Sequence, residues 1–493
     1  MVFNPSLYEI NTRVWLRQFD TPDKRATFKD IPDTYWIKLA EKGIDYVWLM
    51  GIWKTTPSTV EKYCFESNLV EAYKKALPDW KKEDVIGSPY AIDCYQINPQ
   101  LGTEAELAEL REQLKKHGIK LILDFVSNHF SADTSLLHTN PNIFLSAYFE
   151  SYKSEWSTFY KPLATEKDLY FAHGRDPYFP AWKDTVQVNY FNEEARTFMI
   201  DSLLNIAKIC DGVRCDMAML NINDVFEKTW GGVLSSQGFK RAKDEFWKVA
   251  ISTLKRRFPD CVMIAEVYWD MEWILQQQGF DYTYDKKLTA RLETGNQFKI
   301  RGHLNAEHDY QMKSVRFIEN HDEQRAAVTF NSEKGKAAAI IMSTLQGMRF
   351  YHDGQWEGFK THLPMQLGRA PFEVIDQDIK AFYDHLLQII KEPVFKNGSW
   401  EFLESLPSWT ANDTFNNIFA WEWRLGKERR LVTVNYADVM SSCRLALDVK
   451  GYGEKILFKD ILNNETYPRS TVEVNEEGLY IQLDKYRSHI FSF

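Results

Sequence analysis

Four apolar runs in this chain carry a carboxylate at or near one end. Asp124 lies in LILDFVSNH, Asp216 in DGVRCDMA, Glu266 in MIAEVYW and Asp322 in FIENHDE. A charge rarely enters a buried strand unless it is paired or functional. Arg214 stands two residues before Asp216, so both side chains leave the same face of a strand. Acidic groups brought together in this way suit glycosyl transfer, whose transition state is oxocarbenium-like. One carboxylate attacks the anomeric carbon while a second acid protonates the leaving oxygen. The acid must hold its proton near neutral pH, and both crowding and a dry pocket raise its pKa. A nearby guanidinium keeps the nucleophile ionised.

About 50 residues separate Asp216 from Glu266 and Glu266 from Asp322. They can meet only if the fold gathers strand ends. The repeated unit is an amphipathic helix, a Gly or Pro stop, then a short apolar strand. Thr103 and Glu106 have capping-box spacing, Leu107, Leu110 and Leu114 recur at helical spacing, and Gly118 precedes the strand Ile119–Val126. Asn192 is placed to cap a helix through Cys210 that leads to the strand Gly212–Met217, and a helix over Ala242–Phe258 leads to Cys261–Val267. Ile44–Met50, Ser314–Ile318 and Met348–Tyr351 read as further strands. Such alternation predicts an α/β protein with a parallel sheet covered on both faces. Its length suits a (β/α)₈ TIM barrel, whose strands open their C-terminal ends to one mouth; a doubly wound open sheet is the runner-up.

Two regions depart from that rhythm. Residues 130–182 form an excursion rich in Tyr, Phe, Asp and Pro after the third strand, which predicts an inserted subdomain (domain B). Beyond residue 397 short strand patterns at Ile418–Arg424, Leu431–Tyr436, Arg444–Val449 and Leu479–Leu483 predict an antiparallel β-sandwich over 398–493. The barrel then comprises 1–129 and 183–397.

With 493 residues the chain exceeds one compact core, and its net charge of -9 without a basic block argues against nucleic acid or an anionic membrane as partner. The opening MVFNPSLYEINTRVW lacks the pattern of a signal peptide, and no apolar run reaches spanning length. Six scattered cysteines without a CxxC pair suit buried free thiols in a reducing compartment, so cytoplasmic residence is expected.

The sequence resembles the α-amylase family, glycoside hydrolase family 13. Four motifs occur in the family's order: DFVSNH at Asp124–His129, GVRCD at Gly212–Asp216, AEVYW at Ala265–Trp269 and ENHD at Glu319–Asp322. GSPYAIDCYQINPQLGT, WKDTVQVNY and GMRFYHDG are lesser matches. The resemblance implies that Asp216 is the nucleophile, Glu266 the general acid/base and Asp322 a sugar-binding carboxylate. It further implies that Tyr90, His129, Arg214, His321 and Asp124 bind the substrate sugar. The implied enzyme is a retaining α-glycoside hydrolase acting on α-linked glucans or maltooligosaccharides, and the nucleophile and acid are expected about 5 Å apart. Trp53, Trp269 and Trp356 are candidate sugar platforms as well as candidate packing residues.

The alternatives are a transglycosidase with the same triad, in which a sugar hydroxyl replaces water, and, more distantly, a non-catalytic carbohydrate- or partner-binding barrel. No cofactor is required by the chemistry. Asn128 matches one Ca²⁺-ligand position of the family, whereas Met217-Ala218 replaces its usual Lys-His pair after the nucleophile. Cys94 occupies a place where the family usually has Asp, with Asp93 one residue earlier. The segment HDGQWEGFKTHLPMQLGR after the eighth strand is also unlike the family's usual pattern.

Overall fold

The structure is a computed structural model that describes residues 3–162 and 169–493. Eight parallel strands close a barrel: β1 (Ser6–Asn11), β2 (Tyr46–Met50), β3 (Lys120–Val126), β4 (Gly212–Asp216), β5 (Val262–Ala265), β6 (Tyr282–Tyr284), β7 (Ser314–Arg316) and β8 (Met348–His352). Each strand pairs with its sequence neighbours, and β1 pairs with both β2 and β8. The apolar runs are buried on both faces, β2 and β4 throughout, as a covered parallel sheet requires.

The helices form where local signals place them. Glu104–Lys116 begins at Thr103, whose Oγ1 accepts from the Glu106 N–H while Glu106 Oε2 accepts from the Thr103 N–H. Its buried stripe is Leu107, Leu110 and Leu114, and Gly118 follows it at φ 75°, where a side chain would be strained. Glu193–Ile209 is capped by Asn192 Oδ1, which accepts from the Glu194 N–H at 2.9 Å. The helix expected from Ala242 starts only at Phe246. Asn223 Nδ2 donates to the carbonyls of Ala242 and Asp244, and Arg196 also donates to Asp244, which commits those oxygens before a helix can use them.

Register carries the site. Arg214 on β4 stands beside Asp124 on β3 and Ile264 on β5, and the Glu266 N–H donates to the Cys215 carbonyl at 3.0 Å. Asp216 and Glu266, which directly follows β5, therefore emerge at one height around the mouth, with Asp124 two residues deeper on β3.

The excursion after β3 opens with His129–Ser131 and closes with Thr185–Gln187, which pair antiparallel. Between them Ser146–Ala147, Tyr170–Ala172 and Phe159–Tyr160 form a small sheet. The C-terminal region packs a six-stranded antiparallel sheet against a three-stranded one. Ile418, Leu431, Phe458 and Phe491 from the first meet Cys443, Leu445, Ile481 and Leu483 from the second. The barrel, the insertion and the sandwich of the expected fold are thus present. One expected strand shifts: Arg444–Val449 is replaced by Ser441–Leu445, because pairing with Leu479–Leu483 runs from Ser441 to Leu445 and ends there. Among the described residues no helix is long and apolar enough to cross a membrane.

Candidate active site

Arg214 is the hub of the barrel mouth. It is fully buried and reaches three carboxylates: Nη1 lies 2.7 Å from Asp216 Oδ1 and 3.5 Å from Asp124 Oδ1, and Nη2 lies 2.8 Å from Glu266 Oε2. Its Nε donates to the Tyr284 hydroxyl at 3.3 Å, and its guanidinium carbon sits 4.9 Å from the centre of the Trp48 ring. A buried cation in such company stays protonated, and the carboxylates share its charge. The two terminal nitrogens of one guanidinium thereby fix Asp216 and Glu266 side by side.

The two carboxylates differ in their surroundings. Burial pushes Glu266 up to about 7; Arg214 opposes this, and the charges of Asp216 and Asp322 add to it. Its Oε1 accepts from the Tyr268 hydroxyl at 2.9 Å and its Oε2 from the Met217 N–H at 2.7 Å. Met217 holds the left-handed region at φ 43° directly after Asp216, a conformation unfavourable for a non-glycine residue that here turns its N–H toward Glu266. Asp216 is also raised by burial, but its hydrogen bond from Arg214 acts against that rise.

Asp322 follows a different logic. Its side chain is one-third exposed at the mouth. Burial would raise its pKa, yet His321, then Arg214, outweigh it and hold the carboxyl down at about 2. His321 lies between two acids: Nδ1 contacts Glu9 Oε1 at 2.5 Å, and Nε2 lies 3.2 Å from Asp322 Oδ2. Burial works against its charge, but Asp322 and Glu9 together raise it well above the usual imidazole range. Tyr90 stacks on that imidazole with centroids 5.6 Å apart, and its hydroxyl is 3.0 Å from Nε2. His129 contrasts with His321: burial lowers it to about 4, so its ring is neutral at pH 7. It packs 5.2 Å from Trp182.

The structure therefore brings Asp216, Glu266, Asp322, Arg214, Tyr90 and His321 into one connected cluster. Asp124 lies at its base, 1 % exposed, where it accepts from the Gly51 N–H and faces Arg214; burial raises it to about 6. Trp53 and Trp356 are buried packing residues: Trp53 Nε1 donates to the Asp124 carbonyl, and Trp356 packs 4.6 Å from Tyr8. Trp269 stands at φ 63° with its ring 4.8 Å from that of Tyr178, which is itself exposed.

Asp93 does not replace the family carboxylate next to Tyr95. It accepts from the Ser135 N–H and pairs with Lys54, at the junction with the insertion. The Asn128 side-chain carbonyl is taken by Gln187 Nε2 at 2.9 Å, and among the described residues no group of three His, Cys, Asp or Glu side chains could hold a metal.

Glu9, Tyr268 and Tyr284 belong to the cluster and escaped the sequence reading. Glu9 carried the same signal as the others, a carboxylate in the apolar run SLYEIN, and β1 delivers it fully buried beneath His321.

Comparison with known proteins identifies the family. The family model "Alpha amylase, catalytic domain" matches residues 38–421. Alpha-amylase 3 of Dictyoglomus thermophilum is 26 % identical over 311 residues, covering 59 % of this chain and 57 % of that protein. Alpha-amylase MalA of Haloarcula japonica is 24 % identical over 274 residues, covering 53 % of this chain and 35 % of that protein. The chain thus matches about half or less of the length of these curated relatives. The crystal structure of the noncanonic maltogenic alpha-amylase AmyB of Thermotoga neapolitana shares the fold, with a TM-score of 0.68 at 22 % identity, covering 100 % of this chain and 99 % of that one. The chain belongs to the α-amylase catalytic-domain family.

Proposed function

We propose that this protein is a retaining α-glycoside hydrolase acting on α-linked glucans such as starch, glycogen or maltooligosaccharides. The observation that carries the reading is the Arg214 guanidinium holding Asp216 and Glu266 on adjacent nitrogens. Two carboxyls each held within 2.8 Å of a terminal nitrogen of one guanidinium are drawn together, which favours the retaining arrangement, about 5 Å apart, over the wider spacing with which inverting enzymes admit a water. Asp216 attacks the α-anomeric carbon, and Glu266 donates its proton to the departing oxygen. Asp216 is then esterified to the sugar in the β configuration. Glu266, now ionised, takes a proton from water, whose oxygen displaces Asp216 and restores the α configuration. Asp322, ionised above pH 2, accepts hydrogen bonds from sugar hydroxyls, and Tyr90 supplies a flat wall.

Nuclear magnetic resonance of early products from maltotriose tests the assignment. The α anomer is expected before mutarotation, and β product first would refute it. The same digest separates hydrolysis from transfer. The Trp269–Tyr178 pair at the mouth favours some transfer, because it offers an acceptor sugar an apolar face, and oligosaccharides longer than maltotriose would report it.

Glu266 must be protonated to act as acid, so kcat/KM is expected to fall as pH rises through about 7. A pH–rate profile checks this, and the alkaline limb should vanish in Glu266→Gln. Activity should also survive prolonged dialysis against EDTA, because among the described residues no three His, Cys, Asp or Glu side chains gather to hold a metal; a metal-restored loss would contradict it.

The domain division at 1–129 with 183–397, 130–182 and 398–493 is proposed on the strand patterns above, and limited proteolysis would locate cuts near those borders. Cytoplasmic residence is proposed on six free thiols, five of them buried; fractionation of the source cells tests it.

A further inference from the structure

Arg13, like Arg349, is a buried cation that the proposed chemistry leaves unexplained. It follows β1 at the barrel mouth and is 4 % exposed. Its Nη2 donates to the carbonyls of Gly87 and Met365, at 2.9 and 2.6 Å. Its Nε has no partner, and among the described residues no carboxylate pairs with it. Burial without a counter-ion lowers its pKa to about 10. Isolated buried charge is costly, and buried guanidinium groups are ordinarily matched by an anion.

Arg13 lines a cavity of about 390 Å³ that also receives Arg17, Arg25 and Arg369. Asp20 and Asp84 line it too, but both are engaged: Asp20 pairs with Arg17 at 3.2 Å, and Asp84 with Arg369 at 2.8 Å. Glu83 lies exposed at its rim. Burial lowers the pKa of Arg17, Asp20 opposes this, and the charge of the exposed Arg25, which lines the same cavity, adds to the lowering. The formal surplus is small, and the case rests on the unpaired Arg13 opening into a cavity where further guanidinium forks converge. Such forks match the paired oxygens of a phosphate or a carboxylate better than a spherical anion, and a tetrahedral phosphate can take bonds from several forks at once.

We propose that this cavity binds a phosphate group, free or carried by a sugar, with Arg13, Arg17 and Arg25 as its donors. The cavity is larger than a lone phosphate and has room for a phosphorylated hexose. Arg13 also ties Gly87, three residues before Tyr90, to Met365 in the segment after β8. An occupant would therefore bear on two loops that flank the mouth. The inference does not depend on the catalytic reading.

The test is calorimetric titration of the full chain at constant pH and ionic strength with inorganic phosphate, glucose 6-phosphate and glucose. One saturable site is expected for the two phosphates and none for glucose. Binding should weaken at least tenfold in the rim variant R17A/R25A, with circular dichroism unchanged, and also in R13K. Glucose 6-phosphate binding at least tenfold tighter than phosphate identifies a sugar-borne group; equal affinities identify free phosphate. No saturable binding, or binding untouched by R17A/R25A, overturns the proposal even if the Arg13 variant fails to fold.

Discussion

Replacing Glu266 with glutamine is expected to lower kcat on maltotriose by about 10²–10⁴-fold, the usual contribution of a positioned general acid. The amide keeps the shape and can still face Arg214 and the Met217 N–H, so oligosaccharide binding should persist. The loss should shrink with an aryl α-glycoside whose leaving group departs without protonation. That contrast is decisive, because a general loss of structure would depress both substrates alike. Steady-state rates with maltotriose and a 4-nitrophenyl maltooligoside provide it. Equal losses on the two would remove Glu266 from the acid role, and retained turnover on both would remove it from the mechanism. A non-catalytic binding barrel predicts no turnover in the parent protein.

The second large effect belongs to Arg214. Arg214→Met leaves Asp124, Asp216 and Glu266 buried without their shared cation. Breaking a buried ion pair from one side costs about 3–5 kcal/mol, and three acids lose a partner here. Arg214 holds the pKa of all three down, so its removal raises each of them further above its unfolded value. The folded variant then keeps protons that the unfolded chain releases above about pH 4. Its stability relative to the parent should therefore fall as pH rises from 5 to 7. Denaturant melts at the two pH values check the sign. A deficit that is equal at both, or larger at pH 5, would mean that the carboxylates are not electrostatically tied to Arg214. Turnover should drop as well, since an unpaired Asp216 that holds a proton cannot attack.

Much of this was legible in the residues. A charge inside an apolar run is expensive, so LILDFV, GVRCD and IAEV announced side chains that something must pay for, and the barrel register brings Asp216 and Glu266 to one height above Asp124. Helix starts were readable where a side chain caps them, at Thr103 and Asn192. The two barrel strands that went unnoticed are Ser6–Asn11 and Tyr282–Tyr284. The first is preceded by no helix pattern, and the second has only three residues, too few for periodicity to register. Glu9 was lost with its strand. Tyr268 and Tyr284 were unreadable for another reason: a tyrosine in an apolar run looks like packing until the fold shows where its hydroxyl points. The left-handed turn at Met217 was equally hidden, because no glycine marks it. Asp93 shows what an offset of one residue from the family position at Cys94 does: along Ile92–Ile97 it turns to Lys54 and Ser135.

The most direct measurement is peptide mass spectrometry of the covalent intermediate, trapped with a 5-fluoro-α-glucosyl fluoride and quenched in acid. Fast formation through the activated leaving group and slow release should leave one fluoroglucosyl ester per chain, located on the peptide containing Asp216 and absent in Asp216→Asn. A label on another carboxylate, or steady turnover of the parent protein with no ester trapped, would contradict the pairing of Asp216 and Glu266 around Arg214.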